Sequence, residues 1–432
     1  MKNMLESKTS IPSLIKHTLP TVIMIIFFAM YSIVDGMFVS RYVGANALSS
    51  INIVYPMISL LIGISVMLAT GGNAIVSRLL GEKKEIKARE SFTLIVVSAV
   101  IIGVIIAIIS LIFIKPIILF LGATDTLYDY CRNYLAINLL FTPFIILKLL
   151  FDYYYVTAGK SAFGLYISVL GGVINMVLDY VFIAVFKMDV SGAAAATVIG
   201  YTVPAVIGLF FFADKKNLIH FVKSKFKAEV LKESCINGSS EMVTQLSSAV
   251  TTFLYNLAML KYLGEAGVAA ITVILYIQFL LSAAYIGFTS GVAPRIGYNY
   301  GAQNKKEIHK LVKYSYIIIG VFSIITFIFS KIIEYPLTAL FCGKGTEIYY
   351  ITLNGFNLFS ISFLLCGINI FTCGLFTAFS NGKVSGMLSL FRTFIFFIIG
   401  LFVLPQFLGV DGVWLIAAFS EVLSLILSAA VL

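Results

Sequence analysis

The residues of this sequence best suited to chemistry are a few carboxylates set in stretches that otherwise carry no charge. Asp35 stands between Ile33-Val34 and Gly36-Met37-Phe38-Val39, and Asp179 lies in Asn175-Met176-Val177-Leu178-Asp179-Tyr180-Val181-Phe182. An ionised carboxylate at the centre of a bilayer costs about 2.5–3.5 kcal/mol on insertion scales, so such residues face a protein interior and mark ion or substrate pathways by default. Neither has a Lys or Arg three or four positions away to form a local pair. The bland alternatives are a place near the headgroup boundary or a fixed base from elsewhere in the chain. Asn175 precedes Asp179 by four residues, so the two share a helix face. Thr197 ends the small-residue run from Gly192, which would let neighbouring helices approach closely. Asp35, Asn175, Asp179 and Thr197 offer only oxygen ligands. That set suits a hard cation such as Na+, and equally a proton taken up by a carboxylate. Bringing the four together is left to the fold.

Other polar residues surround this set. Tyr31, one turn before Asp35, is the aromatic best placed to line a cavity for flat lipophilic cations through cation–π contacts. Pro20 lies in the same apolar run, where it removes a backbone hydrogen bond and offers a kink or a gating hinge. Lys148 and Asp152, four apart, have the spacing of a local ion pair near the inner end of their helix. Glu241, Arg392 and Glu421 are the charged outliers of the second half. Arg392 and Glu421 can neutralise each other, and Glu241 is open between structural and functional roles.

The elements that must hold these residues follow from composition. Of 432 residues, 60% are hydrophobic and 12% charged, half the charged share of about 25% in soluble domains. Each spanning helix needs about 20 apolar residues, and only helices or closed barrels satisfy their backbone in lipid. Long unbroken apolar runs such as Phe92 to Ile114 exclude the alternation of barrel strands. Runs of spanning length fall near 12–38, 46–70, 91–114, 131–156, 163–186, 192–213, 236–262, 266–293, 312–332, 348–376, 384–408 and 412–432. The first is too long for the apolar core of a cleavable signal and is read as a span. With both termini inside, 21 of the 30 Lys and Arg fall on inner segments, from Lys2 through Lys383, and 7 on outer ones; Lys148 and Arg392 lie within spans. This bias predicts cytoplasmic termini and a multi-pass protein of the cell membrane, with the lipid bilayer as its main partner.

The halves repeat each other. Tyr42-Val43-Gly44 recurs as Tyr262-Leu263-Gly264, Lys83-Lys84-Glu85-Ile86 as Lys305-Lys306-Glu307-Ile308, and Val190-Ser191-Gly192 as Val410-Asp411-Gly412, at offsets of 220 to 222 residues. The expected fold is therefore all-α: twelve transmembrane helices in two parallel six-helix bundles related by a pseudo-two-fold along the membrane normal. The N-terminal lobe is read as 1–213, a basic cytoplasmic linker as 214–235 and the C-terminal lobe as 236–432. Parallel repeats of this kind favour alternating access around a central cavity.

Several classes are excluded. The net charge of +10 is explained by inner loops, so no nucleic acid partner is expected. Cys131, Cys235, Cys342, Cys366 and Cys373 form no C-x-x-C pair and read as small membrane hydrophobes. His17, His220 and His309 lie beside basic stretches and read as solvated. No catalytic constellation appears, so no enzyme and no cofactor are expected.

With these residues in view, the chain resembles the multidrug and toxic compound extrusion (MATE) family, closest to its DinF-like branch. The carrying motifs are Asp35-Gly36-Met37-Phe38-Val39 with Gly44 and Ala47-Leu48, Ser77-Arg78-Leu79-Leu80-Gly81, and Ala293-Pro294-Arg295-Ile296-Gly297-Tyr298-Asn299-Tyr300-Gly301-Ala302. The resemblance implies a cation site in the N-terminal lobe at Asp35, Asn175, Asp179 and Thr197, a bending role for Pro20, and export of cationic or amphipathic drugs in exchange for H+ or Na+. Tyr31, Asp35 and Asn175 would face the substrate, and a monomer is the expected unit. The NorM-like branch also uses an acid in its tenth helix; Ser362 to Gly374 here contains none. The alternative is a lipid-linked precursor flippase of the same superfamily. It calls for basic residues in the cavity, and only Lys148 and Arg392 lie within spans. A major-facilitator carrier would place an Asp-Arg motif in the loop Gly81 to Glu90, which has none.

Overall fold

The computed structural model describes Leu5 and residues 8–432, apart from the side chains at 40, 45, 337 and 340–342. Lys2, counted above on the inner side, and the Cys342 thiol lie outside them. Among the described residues all regular structure is helical. Spans 1 to 3 are Ile11–Val43, Asn46–Gly81 and Glu85–Ile112. Span 4 is a broken helix, Asp125–Leu140 followed by Thr142–Thr157, bent by 59°. The sequence shows one apolar run there, but Pro143 cannot donate the next helical hydrogen bond, and the turn is remade from Phe144 to the Phe141 carbonyl. Spans 5 and 6 are Ser161–Val185 and Asp189–Ala213.

The second half opens on one continuous helical element, Ala228–Gly301, far longer than a bilayer is thick. Gly264, at φ 63 and ψ −152, breaks it into spans 7 (228–263) and 8 (265–301). Its first turns occupy part of the stretch that composition marks as linker. Spans 9 to 12 are Lys305–Pro336, Glu347–Ala378, Gly382–Leu408 and Val410–Val431. With the bent pair as one span and the long helix as two, the described residues form twelve spans.

The duplication is written in the backbone. Residues with positive φ recur at matching places: Gly44 with Gly264, Lys83 with Gln303, Asp189 with Gly409 at an offset of 220, and Gly159 with Ser380 at 221. Side-chain identity is lost at most of these turns, but the left-handed residue that reverses the chain is kept.

Spans 1 and 2 of the first lobe pack against spans 7 and 8 of the second. The seam is built on glycine. A Cβ on Gly71 would fall 1.9 Å from the Ser234 carbonyl oxygen, one on Gly238 1.9 Å from that of Met67, and one on Gly301 2.0 Å from that of Arg78. Gly287 and Gly291 meet the backbone of Val22 and Thr18 in the same way. These contacts lie in the half of the molecule nearest the basic loops. There Arg78 adds an ion pair to Glu233 across the lobes at 2.9 Å, and Glu307 accepts from the Thr9 backbone N–H at 3.2 Å.

Three π-helical turns interrupt the spans: Val39–Val43, Tyr180–Val185 and Phe391–Ile395. Span 1 runs helically through Pro20.

Candidate functional site

The N-terminal lobe gathers the four oxygen-bearing residues. Gly172 of span 5 sits under the rings of Phe27 and Tyr31, where a Cβ would lie 2.5 and 2.8 Å from ring carbons. Gly200 of span 6 lies against Asn175, where a Cβ would be 3.0 Å from its Cβ. Without side chains at these two positions, spans 1, 5 and 6 close to the distance that polar groups need. Asp35 and Asp179 become neighbours, close enough to interact side chain to side chain. The Asn175 amide donates to the Thr197 hydroxyl at 3.5 Å. Asn175 and Asp179 are 2% and 0% exposed, and Asp35 and Thr197 are half-buried.

The cluster is short of hydrogen bonds. Asp35 Oδ1, Asn175 Oδ1 and both carboxylate oxygens of Asp179 are buried without a partner. An unpaired buried acceptor costs about 1–3 kcal/mol, more when charged. Unpartnered acceptors of this kind are chemically able to take up a proton or a hard cation.

Residues that the sequence did not single out complete the surroundings. Tyr134, from the first piece of span 4, is buried within electrostatic range of both Asp35 and Asp179. Tyr201, one turn after Thr197 on span 6, lies beside Tyr31. The spacing of Tyr201 from Thr197 was the available signal, but among 23 tyrosines an i, i+4 relation is weak. Pro20 lies about four turns before Asp35 on span 1, away from this cluster.

Lys148 and Asp152 do pair, at 2.6 Å. They do so in the lobe interior, with side chains 4% and 10% exposed. Ser168 donates to the other carboxylate oxygen at 2.8 Å, and the ammonium lies 5.2 Å from the Phe28 ring centroid and 5.5 Å from that of Tyr201.

Among the described residues the C-terminal lobe shows no such set of unpartnered carboxylates. Arg392 grips Glu421 with Nη2 to Oε1 at 2.7 Å and Nε to both oxygens at 3.1 Å, and the Asn369 amide donates to Oε2 at 2.7 Å. Glu241 lies within electrostatic range of Tyr153 of the first lobe and Arg392 of its own.

Two histidines depart from the sequence reading. His17 and His220 are 2% and 8% exposed, not solvated. His17 sits where span 1 is pressed on span 8, beside Arg295, and His220 folds back onto the Asn217 carbonyl. Cys131, Cys235, Cys366 and Cys373 are unpaired thiols.

A family model described as MatE matches residues 20–181 and again 242–403, one match in each half. The multidrug export protein MepA of Staphylococcus haemolyticus is 25% identical over 411 residues, covering 94% of this chain and 90% of the relative. MepA of Staphylococcus aureus is 24% identical over the same length and coverage. A solved structure of a multidrug resistance MATE family transporter of the MOP superfamily, in an outward-facing conformation, superposes with a TM-score of 0.93. It covers 99% of this chain and 96% of its own at 20% identity, a likeness of fold.

Proposed function

This chain belongs to the MatE family of membrane transporters, and on that footing we propose that it is a multidrug exporter working as a cation-coupled antiporter. MepA homology supports the export of drugs. The single observation that carries the coupling is the convergence of buried, unpartnered oxygens from Asp35, Asn175 and Asp179.

The cycle we propose runs on charge. With no coupling ion, the carboxylates of Asp35 and Asp179 give the N-lobe cavity a negative centre that attracts a lipophilic cation. A proton or Na+ entering from outside joins the same oxygens; for Na+, Asp35, Asn175, Asp179 and Thr197 would be the ligands. Neutralised, the centre no longer holds the drug, and release outside follows. The cluster lies on spans 1, 5 and 6, and span 1 is part of the seam between lobes, so a repacking at Asp35 is transmitted to the interface that alternating access must open. Pro20, between the cluster and the basic end, is the proposed hinge. In this reading both termini are cytoplasmic, the basic end faces the cytosol, and a monomer suffices.

The flippase alternative needs free bases in the cavity. Lys148 and Arg392 are each engaged by a carboxylate, which favours the drug antiporter.

The test is ethidium export in inverted membrane vesicles, driven separately by proton and sodium gradients. Asp35→Asn and Asp179→Asn are expected to abolish gradient-driven export with the protein still folded. Full gradient-driven export by Asp35→Asn would end this mechanism.

A further inference from the structure

We infer that the N-terminal lobe holds a second cation site, a cage formed by Phe28, Tyr201 and Asp152 that the chain's own Lys148 ammonium fills, and that the cationic head of a substrate binds there by displacing it. The inference rests on the drug-export reading and names where the substrate's charge is held.

The Lys148 ammonium is coordinated as an organic cation would be. Asp152 accepts one hydrogen bond at 2.6 Å, and two aromatic faces stand at 5.2 and 5.5 Å, inside the roughly 6 Å range of cation–π attraction. An ammonium has three N–H donors, and ring faces serve them poorly. A phosphonium or quaternary ammonium has none to satisfy, so it loses nothing in this setting. The four-carbon stem of lysine is flexible enough to withdraw. Asp152 is held in place independently by the Ser168 hydroxyl at 2.8 Å, so the carboxylate stays when the lysine leaves.

The location fits a transport path. Phe28 precedes Asp35 by seven residues on span 1, and Tyr201 follows Thr197 by four on span 6. Both offsets point toward the basic end, placing the cage one to two helical turns, about 6–10 Å, from the carboxylate pair. Tyr31, which packs on the Phe28 ring with centroids 5.2 Å apart and lies beside Tyr201, stands between Phe28 and Asp35 on span 1. A cation moving from the basic end meets the cage before the carboxylates. Lys148 then acts as a tethered competitor that sets how strongly substrates are held.

The experiment is titration calorimetry of tetraphenylphosphonium on the purified full chain in detergent. Lys148→Met opens the cage and leaves Asp152, and is expected to tighten binding at least about tenfold. K148M/D152N removes the countercharge and is expected to fall back to wild-type affinity or below. With Lys148 in place, Tyr201→Leu and Phe28→Leu each remove one ring face and are expected to weaken binding severalfold. Folded Lys148→Met with unchanged or weaker affinity overturns the inference. Should Lys148→Met not fold, unchanged affinity in both Tyr201→Leu and Phe28→Leu overturns it equally. A wild-type chain that binds and exports the cation while Lys148→Met behaves identically removes the cage alone. A wild-type chain that neither binds nor exports it removes the export reading as well.

Discussion

At the scale of the residue, the molecule treats charge inside its spans in two opposite ways. Asp35 Oδ1 and both carboxylate oxygens of Asp179 stand without hydrogen-bond partners, whereas Lys148 closes onto Asp152 and Arg392 onto Glu421, the latter with three short contacts. Removing one member of a buried pair strands the other and costs about 3–5 kcal/mol, whereas replacing both by apolar groups is often neutral. Arg392→Met is therefore expected to lower the unfolding temperature sharply, and R392M/E421M to recover most of it. The sole tryptophan, Trp414, is fully buried on the same span as Glu421, so its fluorescence reports the transition. Equal loss in single and double variants would show that the pair matters beyond neutralisation. Much of this scale was legible. A carboxylate in an apolar run announces itself, as do Lys148 with Asp152 and Arg392 with Glu421, because charge in lipid needs an answer. Tyr134, Tyr201 and Phe28 were not legible, since an aromatic residue in a membrane helix faces lipid, core or cavity with the same local pattern. His17 was misread because its neighbours in sequence are basic while its neighbours in space are span 8.

At the scale of the element, each π-helical turn adjoins a charged residue within a span. Val39–Val43 begins one turn after Asp35, Tyr180–Val185 directly after Asp179, and Phe391–Ile395 contains Arg392. Such turns are frequent at functional sites because the extra residue re-aims a side chain without ending the helix. Nothing in the residue pattern marks them, since they arise from how neighbouring spans fit. The break at Gly264 was signalled by its repeat partner Gly44. Its φ of 63 and ψ of −152 fall in a region essentially restricted to glycine, where other residues cost of order 1–3 kcal/mol. Gly264→Ala is expected to lower thermal stability in detergent by that amount, and Gly44→Ala, at φ 113, likewise. An unchanged unfolding temperature for either would mean that the turn relaxes.

At the scale of the whole molecule, the repeat and the span number were readable because duplication preserves turn chemistry long after identity fades. The seam between lobes was not readable, because a glycine in a membrane helix does not say which helix it meets. Its geometry makes a firm prediction. Gly238→Val would drive a side chain into the Met67 backbone and part the lobes at the basic end. In a protein whose other cysteines are serine, maleimide labelling of Cys235, which packs against the first lobe's core near this contact, is expected to rise from the basic side. Labelling as slow as in the parent would place the gate elsewhere.

A seam made of backbone also sets how the joint behaves over many cycles. Glycine has no rotamers to freeze, so closing costs no side-chain entropy and reopening returns none. The attraction is spread over many atom pairs worth about 0.1–0.2 kcal/mol each, so it yields contact by contact with no single point of failure. One charge moved through 100 mV supplies about 2.3 kcal/mol, enough to part a good many such contacts. The two halves can therefore separate and reseat in register without a conformational search. A larger side chain anywhere along the line would act as a burr on that hinge.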